Sequence, residues 1–521
     1  MDMKYVLLFG LVLIVGLSVV SAADIIDDDS SAIIETPQVE QTDLIENDVT
    51  PEEDQTVSRE TVTINSDVTI NDQTKYDTYN GKDWIVQTGV TVTGSPDYAL
   101  SDVSIKVEGN QVTLKNLDIT SEDIGDYLIN VTNVNNFRID NSHLTITNIN
   151  NVPTMGIYVK NADTAVINGT TLTVNAPAQA QAWYNTTPVD WYSVLQVSGV
   201  YSDHSNNVKL ENSTITITNT TENLYGSTMP AVTIKNNSNQ ISIKNNTISS
   251  TGAQYVYGIM MNDLVTNAIT KNNTVIANGV YYVAGIDVST SSNSKTCQNK
   301  VTVKSENATD FTGERESLAY GILSDTYYLG NENDIICNNT ISITANTIYG
   351  IELYQGKNIT VCSNNITGNG NKSMGIALAH TNNSKIINNN ITITGTTTPH
   401  HYFYEEVTPE NTGIILTNQS NSNWIQGNYI NVTAINDYTG LAINLTNDTS
   451  NTVTGNYIRV NYNEEGTEFS VDISVIINEG SGNNVTGDNT AVNLYPCDCC
   501  CECTPQNTVE TEEEEGDNFL P

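Results

Sequence analysis

The chain carries only four arginines, Arg59, Arg138, Arg315 and Arg459, and its 20 Lys and Arg residues stand against 60 Asp and Glu, a formal net charge of −40. Such an acidic excess argues against nucleic acid, and against anionic membrane or wall polymers, as direct electrostatic partners. A second long apolar run is also missing. The one present, from Tyr5 to Val20, follows Lys4 and ends in Ser21, Ala22 and Ala23. That is the form of a secretory leader, too short for an ordinary membrane span. The mature chain is therefore expected to have no transmembrane helix. No stretch of useful length shows a 3.6-residue apolar period, which excludes a helical domain. The histidines form no metal motif, because His143, His204 and His380 are scattered, while His400 and His401 are adjacent and face opposite sides of an extended chain.

What is present is a repeat. In YGIELYQGKNITVCSNNITG, residues 349–368, a Gly-Ile step opens a short apolar alternation, a polar turn follows, and a second alternation ends in Asn-x-Ile. Asn246, Asn273, Asn299, Asn339, Asn364, Asn389, Asn428 and Asn456 each stand two residues before an Ile or Val, and Asp488 takes that place in a last, weaker copy. A second column is made by Gly258, Gly285, Gly321, Gly350, Gly375, Gly413 and Gly440. Two columns in phase imply stacked structural repeats. The alternation in Ile-Thr-Val (359–361) and Ile-Thr-Ile (391–393) has a period of 2, so the units are short strands that bury one face by stacking. Stacked carboxamides can form a hydrogen-bonded ladder, and Asn and Gly both suit a left-handed corner.

Units such as MGIALAHTNNSKIINNNITI (374–393) resemble the right-handed parallel β-helix repeats of the pectin-lyase-like superfamily. The acidic, Asn-rich and Thr-rich character, together with the leader, is most similar to the adhesin-like surface proteins of methanogenic archaea. The resemblance spans about residues 100–495. It implies an all-β, right-handed, single-stranded parallel β-helix of about thirteen coils, on the order of 60 Å long at roughly 4.8 Å per rung. It implies little about activity, since repeat residues build the scaffold in every member. The expected organisation is a leader over 1–23, an acidic disordered linker over 24–60, an N-terminal β cap over 61–100, the β-helix over 101–495 and a Cys-rich acidic tail over 496–521.

Three insertions, over 175–192, 305–318 and 394–411, fall at the same joint and should emerge on one side. The first holds Trp183, Tyr184, Trp191 and Tyr192, and the third holds His400, His401, Tyr402, Phe403 and Tyr404. These are candidate contacts that stack on sugar rings or fill a partner's pockets; the alternative is that they fold back over the solenoid.

The family's hydrolase signatures are absent, and no two arginines are in phase to hold a uronate, so no catalytic residue is assigned. Asp287 and Glu352 lie in nearby coils and could share a face. Cys297, Cys337 and Cys362 recur two residues before the turn Asn, at a spacing that permits a disulfide between two of them and leaves one thiol over. Cys497, Cys499, Cys500, Cys501 and Cys503 crowd the tail, where secretion favours disulfides over a soft-metal site or lipidation. No cofactor is assigned; Ca²⁺ is compatible with the charge but has no located site. About twenty Asn-x-Ser/Thr sequons, among them Asn130, Asn272, Asn358, Asn431 and Asn444, are candidate glycan acceptors that a repeat rich in Asn and Thr also generates by composition. The expected function is that of a secreted, cell-surface, adhesin-like protein whose partner is a carbohydrate or a cell-surface protein. The alternatives are a polysaccharide lyase or hydrolase on the same scaffold and a structural envelope component.

Overall fold

A computed structural model describes residues 59–122, 124–148, 154–177, 197–220, 228–306, 316–325, 331–395, 411–435, 440–446, 448–463 and 476–494. The leader, nearly all of the acidic linker and the Cys-rich tail lie outside them. The described strands form three parallel sheets of 15, 15 and 14 strands. Each described coil after the first gives one strand to each sheet, for example Thr347–Tyr354 to the first, Thr360–Cys362 to the second and Asn365–Gly370 to the third. Every one of these strands pairs in parallel with its counterpart in the coils before and after. This is a right-handed parallel β-helix. Of the 15 strands of the first sheet, two precede residue 101 and thirteen follow it.

The stretch expected to form the N-terminal β cap, 61–100, is continuous with the sheets. Thr61–Ile64 pairs with Asp83–Val86, which pairs with Ser104–Val107. What distinguishes it is α1 (Gln73–Tyr79), a seven-residue helix whose N-cap Asp72 side chain accepts from the Lys75 amide at 2.8 Å. Tyr79 lies edge-on to Trp84, and the Trp84 indole donates to the Tyr79 carbonyl at 2.8 Å.

The interior is a stack of Ile, Val and Leu, with Ile341, Ile366 and Ile391 of the third sheet in one register column and fully buried. Against that column stand the glycines, which lie inside their strands rather than at the strand openings expected of them. A Cβ on Gly350 would meet the Gly375 carbonyl oxygen at 2.4 Å and Ile366 Cγ2 at 2.5 Å. The missing side chain lets the β-branched residues of the third sheet pack onto the backbone of the first. Gly440 does not belong to this column, because the register places Ala442 beside Gly413.

The asparagines do form a ladder. Asn246, Asn273, Asn299, Asn339, Asn364, Asn389, Asn428 and Asn456 are all buried, and each donates its backbone amide and its Nδ2 to Oδ1 of the next, at 2.9–3.0 Å. Nδ2 also donates to a carbonyl of the preceding coil, such as Ile336 for Asn364. The last member is Asn489, which accepts from Asn456; Asp488 stands beside it at the exposed corner. The left-handed corner residue is likewise one position earlier than expected, at Asn245, Asn272, Asn338 and Asn388. The ladder residue needs extended backbone to align its amide, so its neighbour takes the positive φ.

Candidate functional site

The second and third sheets alternate buried and exposed residues, as a solenoid wall facing water should. The first sheet alternates in its opening strands but not throughout: Ser198–Asp203, Thr228–Lys235 and Gly440–Leu445 are buried at every position, while Tyr257, Tyr349 and Glu352 are partly exposed. The outward residues of its middle coils differ from the Thr and Asn of the other walls. Two outward columns flank each glycine of the repeat.

The column two residues after the glycine runs through Tyr201, Thr233, Met260, Asp287, Leu323 and Glu352. The column just before it holds Tyr257, Ala284, Tyr320 and Tyr349. Tyr282, from the neighbouring position of the Asp287 strand, fills the gap over Ala284: its ring is 5.9 Å from Tyr257 and 5.2 Å from Tyr320, and Tyr320 stacks on Tyr349 at 5.2 Å. With Leu318 and Leu323 these tyrosines form an apolar cluster separate from the interior core. A second tyrosine stack, Tyr127, Tyr158 and Tyr201, lies toward the N-terminal end of the same face, with Lys235 Nζ 5.2 Å from the Tyr201 ring centre.

Three carboxyls stand among the C-terminal tyrosines. Asp287, 5% exposed, is pushed up to about 7 by burial, against hydrogen bonds from the Ser289 amide and hydroxyl that hold it down. Glu352 is pushed up to about 8 by burial and by the nearby Asp325 charge, although the Tyr320 hydroxyl hydrogen-bonds it. Asp325 is pushed up to about 6 by burial. Its amide donates to the Ser289 hydroxyl, linking it to Asp287, while its Oδ1 and that of Asn262 are buried without a partner among the described residues. The face therefore offers aromatic rings, carboxyls whose protonation changes near neutral pH, and unfilled acceptors, all within adjoining rungs.

Asp287 and Glu352, noted from sequence, do share this face. Asp325 and the four tyrosines were missed, although a signal existed: Tyr precedes the repeat glycine in Tyr-Gly-Ile at 257–259, 320–322 and 349–351. Trp183, Tyr184, Trp191, Tyr192, His400, His401, Tyr402 and Tyr404 lie outside the described residues, as do Cys497, Cys499, Cys500, Cys501 and Cys503. Cys337 and Cys362 form a disulfide, and Cys297 is a free thiol. Among the described residues no group of three or more His, Cys, Asp or Glu could hold a metal ion, and no helix is long and apolar enough to cross a membrane.

No family model and no curated protein matches the chain. Among solved structures it is similar to the Dettilon tailspike protein, at 13% identity and TM-score 0.36, over 79% of this chain and 64% of the tailspike, less than two thirds of that protein's length. It is similar to the A-module of the Azotobacter vinelandii mannuronan C-5 epimerase AlgE6 at 14% identity and TM-score 0.36, over 81% of this chain and 94% of the module. It is also similar to the tailspike of E. coli bacteriophage HK620, solved in complex with a hexasaccharide, at 10% identity and TM-score 0.40, over 82% of this chain and 73% of that one. At such identities neither ligand nor activity carries over between chains.

Proposed function

We propose that this is a secreted, cell-surface, adhesin-like protein that binds a glycan along the outer face of its first sheet, with the inserted segments 175–192 and 394–411 adding contacts. The observation that carries this reading is the strip of Tyr257, Tyr282, Tyr320 and Tyr349 beside Asp287, Asp325 and Glu352. Tyrosine rings stack on the C–H faces of sugars while their hydroxyls meet the polar edge. A protonated carboxyl both donates and accepts, which suits a sugar hydroxyl, and the buried Oδ1 atoms of Asn262 and Asp325 are acceptors that hydroxyl donors would satisfy.

A second reading, cleavage of the bound glycan, is favoured by the same three carboxyls. Hydrolysis of a glycosidic bond needs one carboxyl held protonated as acid and another ionised beside it. Near neutral pH Glu352 suits the first role and Asp325 the second, their values being pushed to about 8 and about 6.

The test is an array of cell-wall and host glycans probed with the purified full chain, with and without Ca²⁺, while any bound polymer is followed for cleavage. Binding without cleavage, weakened by Tyr349→Ala and Asp325→Asn, is the expected result. Shortened products, abolished by Glu352→Gln, would replace it with the second reading; no binding to any glycan would overturn both.

A further inference from the structure

Cys297, Cys337 and Cys362 occupy one register position on the second sheet, at the ends of the strands Lys295–Cys297, Ile335–Cys337 and Thr360–Cys362. Parallel partners repeat at about 4.8 Å, and the bonded pair Cys337 and Cys362 has its Cα atoms 4.6 Å apart. Cys297 stands to Cys337 in the same register relation on the other side. The geometry that a disulfide needs is therefore offered to Cys337 twice. The half-buried Cys297 thiol points at the Ile335 carbonyl oxygen, 4.0 Å away in the Cys337 strand, and receives a hydrogen bond from the Cys337 amide. The register column thus sets the Cys297 thiol one rung from Cys337, on the side opposite Cys362, from which attack on the disulfide would come.

We propose that these three cysteines form an exchange site at which Cys337 passes its disulfide between Cys362 and Cys297. The Cys297 thiol gives its proton to water and the thiolate attacks Cys337 Sγ. The new sulfur–sulfur bond forms as the Cys337–Cys362 bond breaks, and its electron pair leaves on Cys362 Sγ, which takes a proton from water. One thiol and one disulfide stand on each side, so no external oxidant or reductant enters.

The step relocates a clamp. In one position it ties the coil of Tyr320 and Asp325 to the coil of Glu352. In the other it ties the coil of Asp287 to that of Tyr320 and Asp325, across the insertion 305–318. The exchange therefore selects which carboxyl-bearing coils are held together. Burial pushes the Cys297 thiol up, while the Cys337 amide, Lys295 and Lys271 pull it down. Exchange should accordingly be slow at neutral pH and rise up to about tenfold per pH unit below the thiol's own value.

The full chain, purified without reductant, is incubated at about pH 7 and at about pH 9, quenched with iodoacetamide, digested in acid and mapped by mass spectrometry. The expected result is label on both Cys297 and Cys362, appearing faster at the higher pH, with Cys337 always bonded. Cys297→Ser should abolish the label on Cys362, and Cys362→Ser should carry a Cys297–Cys337 bond. Label confined to Cys297 in the native protein at the higher pH would overturn the proposal. So would label on Cys362 in Cys297→Ser, which would assign the exchange to the tail cysteines, or free Cys297 and Cys337 together in Cys362→Ser.

Discussion

Asp287 and Glu352 hold the same register position on the first sheet, two rungs apart with Leu323 between them. Burial pushes the first carboxyl up to about 7 and the second up to about 8. A carboxyl raised in the folded chain stabilises the fold fully below its unfolded value, near 4, and that contribution is lost as pH rises through its folded value. The melting temperature is expected to fall between about pH 4 and about pH 8, the window these shifts define. Calorimetry on Asp287→Asn combined with Glu352→Gln should give a flatter profile than the native chain; equal slopes would detach these residues from the effect.

A related prediction concerns Asp334, which is 2% exposed and occupies a ladder position held by Ser384, Asn423 and Asn451 in later coils. It accepts from the Ser294 amide at 2.7 Å and the Ser291 hydroxyl at 2.8 Å, and burial pushes it up to about 6. Asp334→Asn keeps the acceptor and removes the charge. It should raise the melting temperature at about pH 8 and leave it nearly unchanged at about pH 4, where the carboxyl is already neutral.

The amide ladder predicts a sharp contrast between adjacent residues. Asn364→Ala strips the acceptor from both the amide and the Nδ2 of Asn339. At about 1–3 kcal/mol for each of the two buried groups left unpaired, the loss should total roughly 2–6 kcal/mol in urea unfolding. Asn365→Ala, at the exposed next position, should stay within about 0.5 kcal/mol.

The glycine column predicts a steric cost without any change of charge or backbone sign. Gly350→Ala places a methyl group 2.4 Å from the Gly375 carbonyl oxygen, a rigid neighbour. The variant should lose about 1–3 kcal/mol, and Ile366→Ala, which removes the Cγ2 the new methyl group meets, should show favourable coupling with it in a double-mutant cycle.

The repeat period and the Asn column were legible because burial and hydrogen bonding act on the same residue in every coil. Within the Asn-Asn pair the sequence does not say which residue turns the corner: the left-handed position is Asn245, not Asn246, and the last rung of the ladder is Asn489, not Asp488. The sequence puts the glycines at the opening of a strand, which hides the outward position that precedes each of them. Tyr320 and Tyr349 are visible as outward residues in Tyr-Gly-Ile only once the glycine is known to lie mid-strand. Asp325 stood beyond the conserved-looking core of the unit, and only the sheet register brings it beside Asp287 and Glu352.

The most direct measurement is the affinity of the best-bound array glycan for the native chain and for Tyr349→Ala, Asp325→Asn and Tyr457→Ala. Tyr457 serves as the control because it is exposed, 42%, and stacked on Tyr429 away from the proposed site, on the third sheet. The account predicts at least about a tenfold loss, roughly 1.4 kcal/mol, for the first two and none for the third. Full affinity in both first-sheet variants, or a loss confined to Tyr457→Ala, would contradict it.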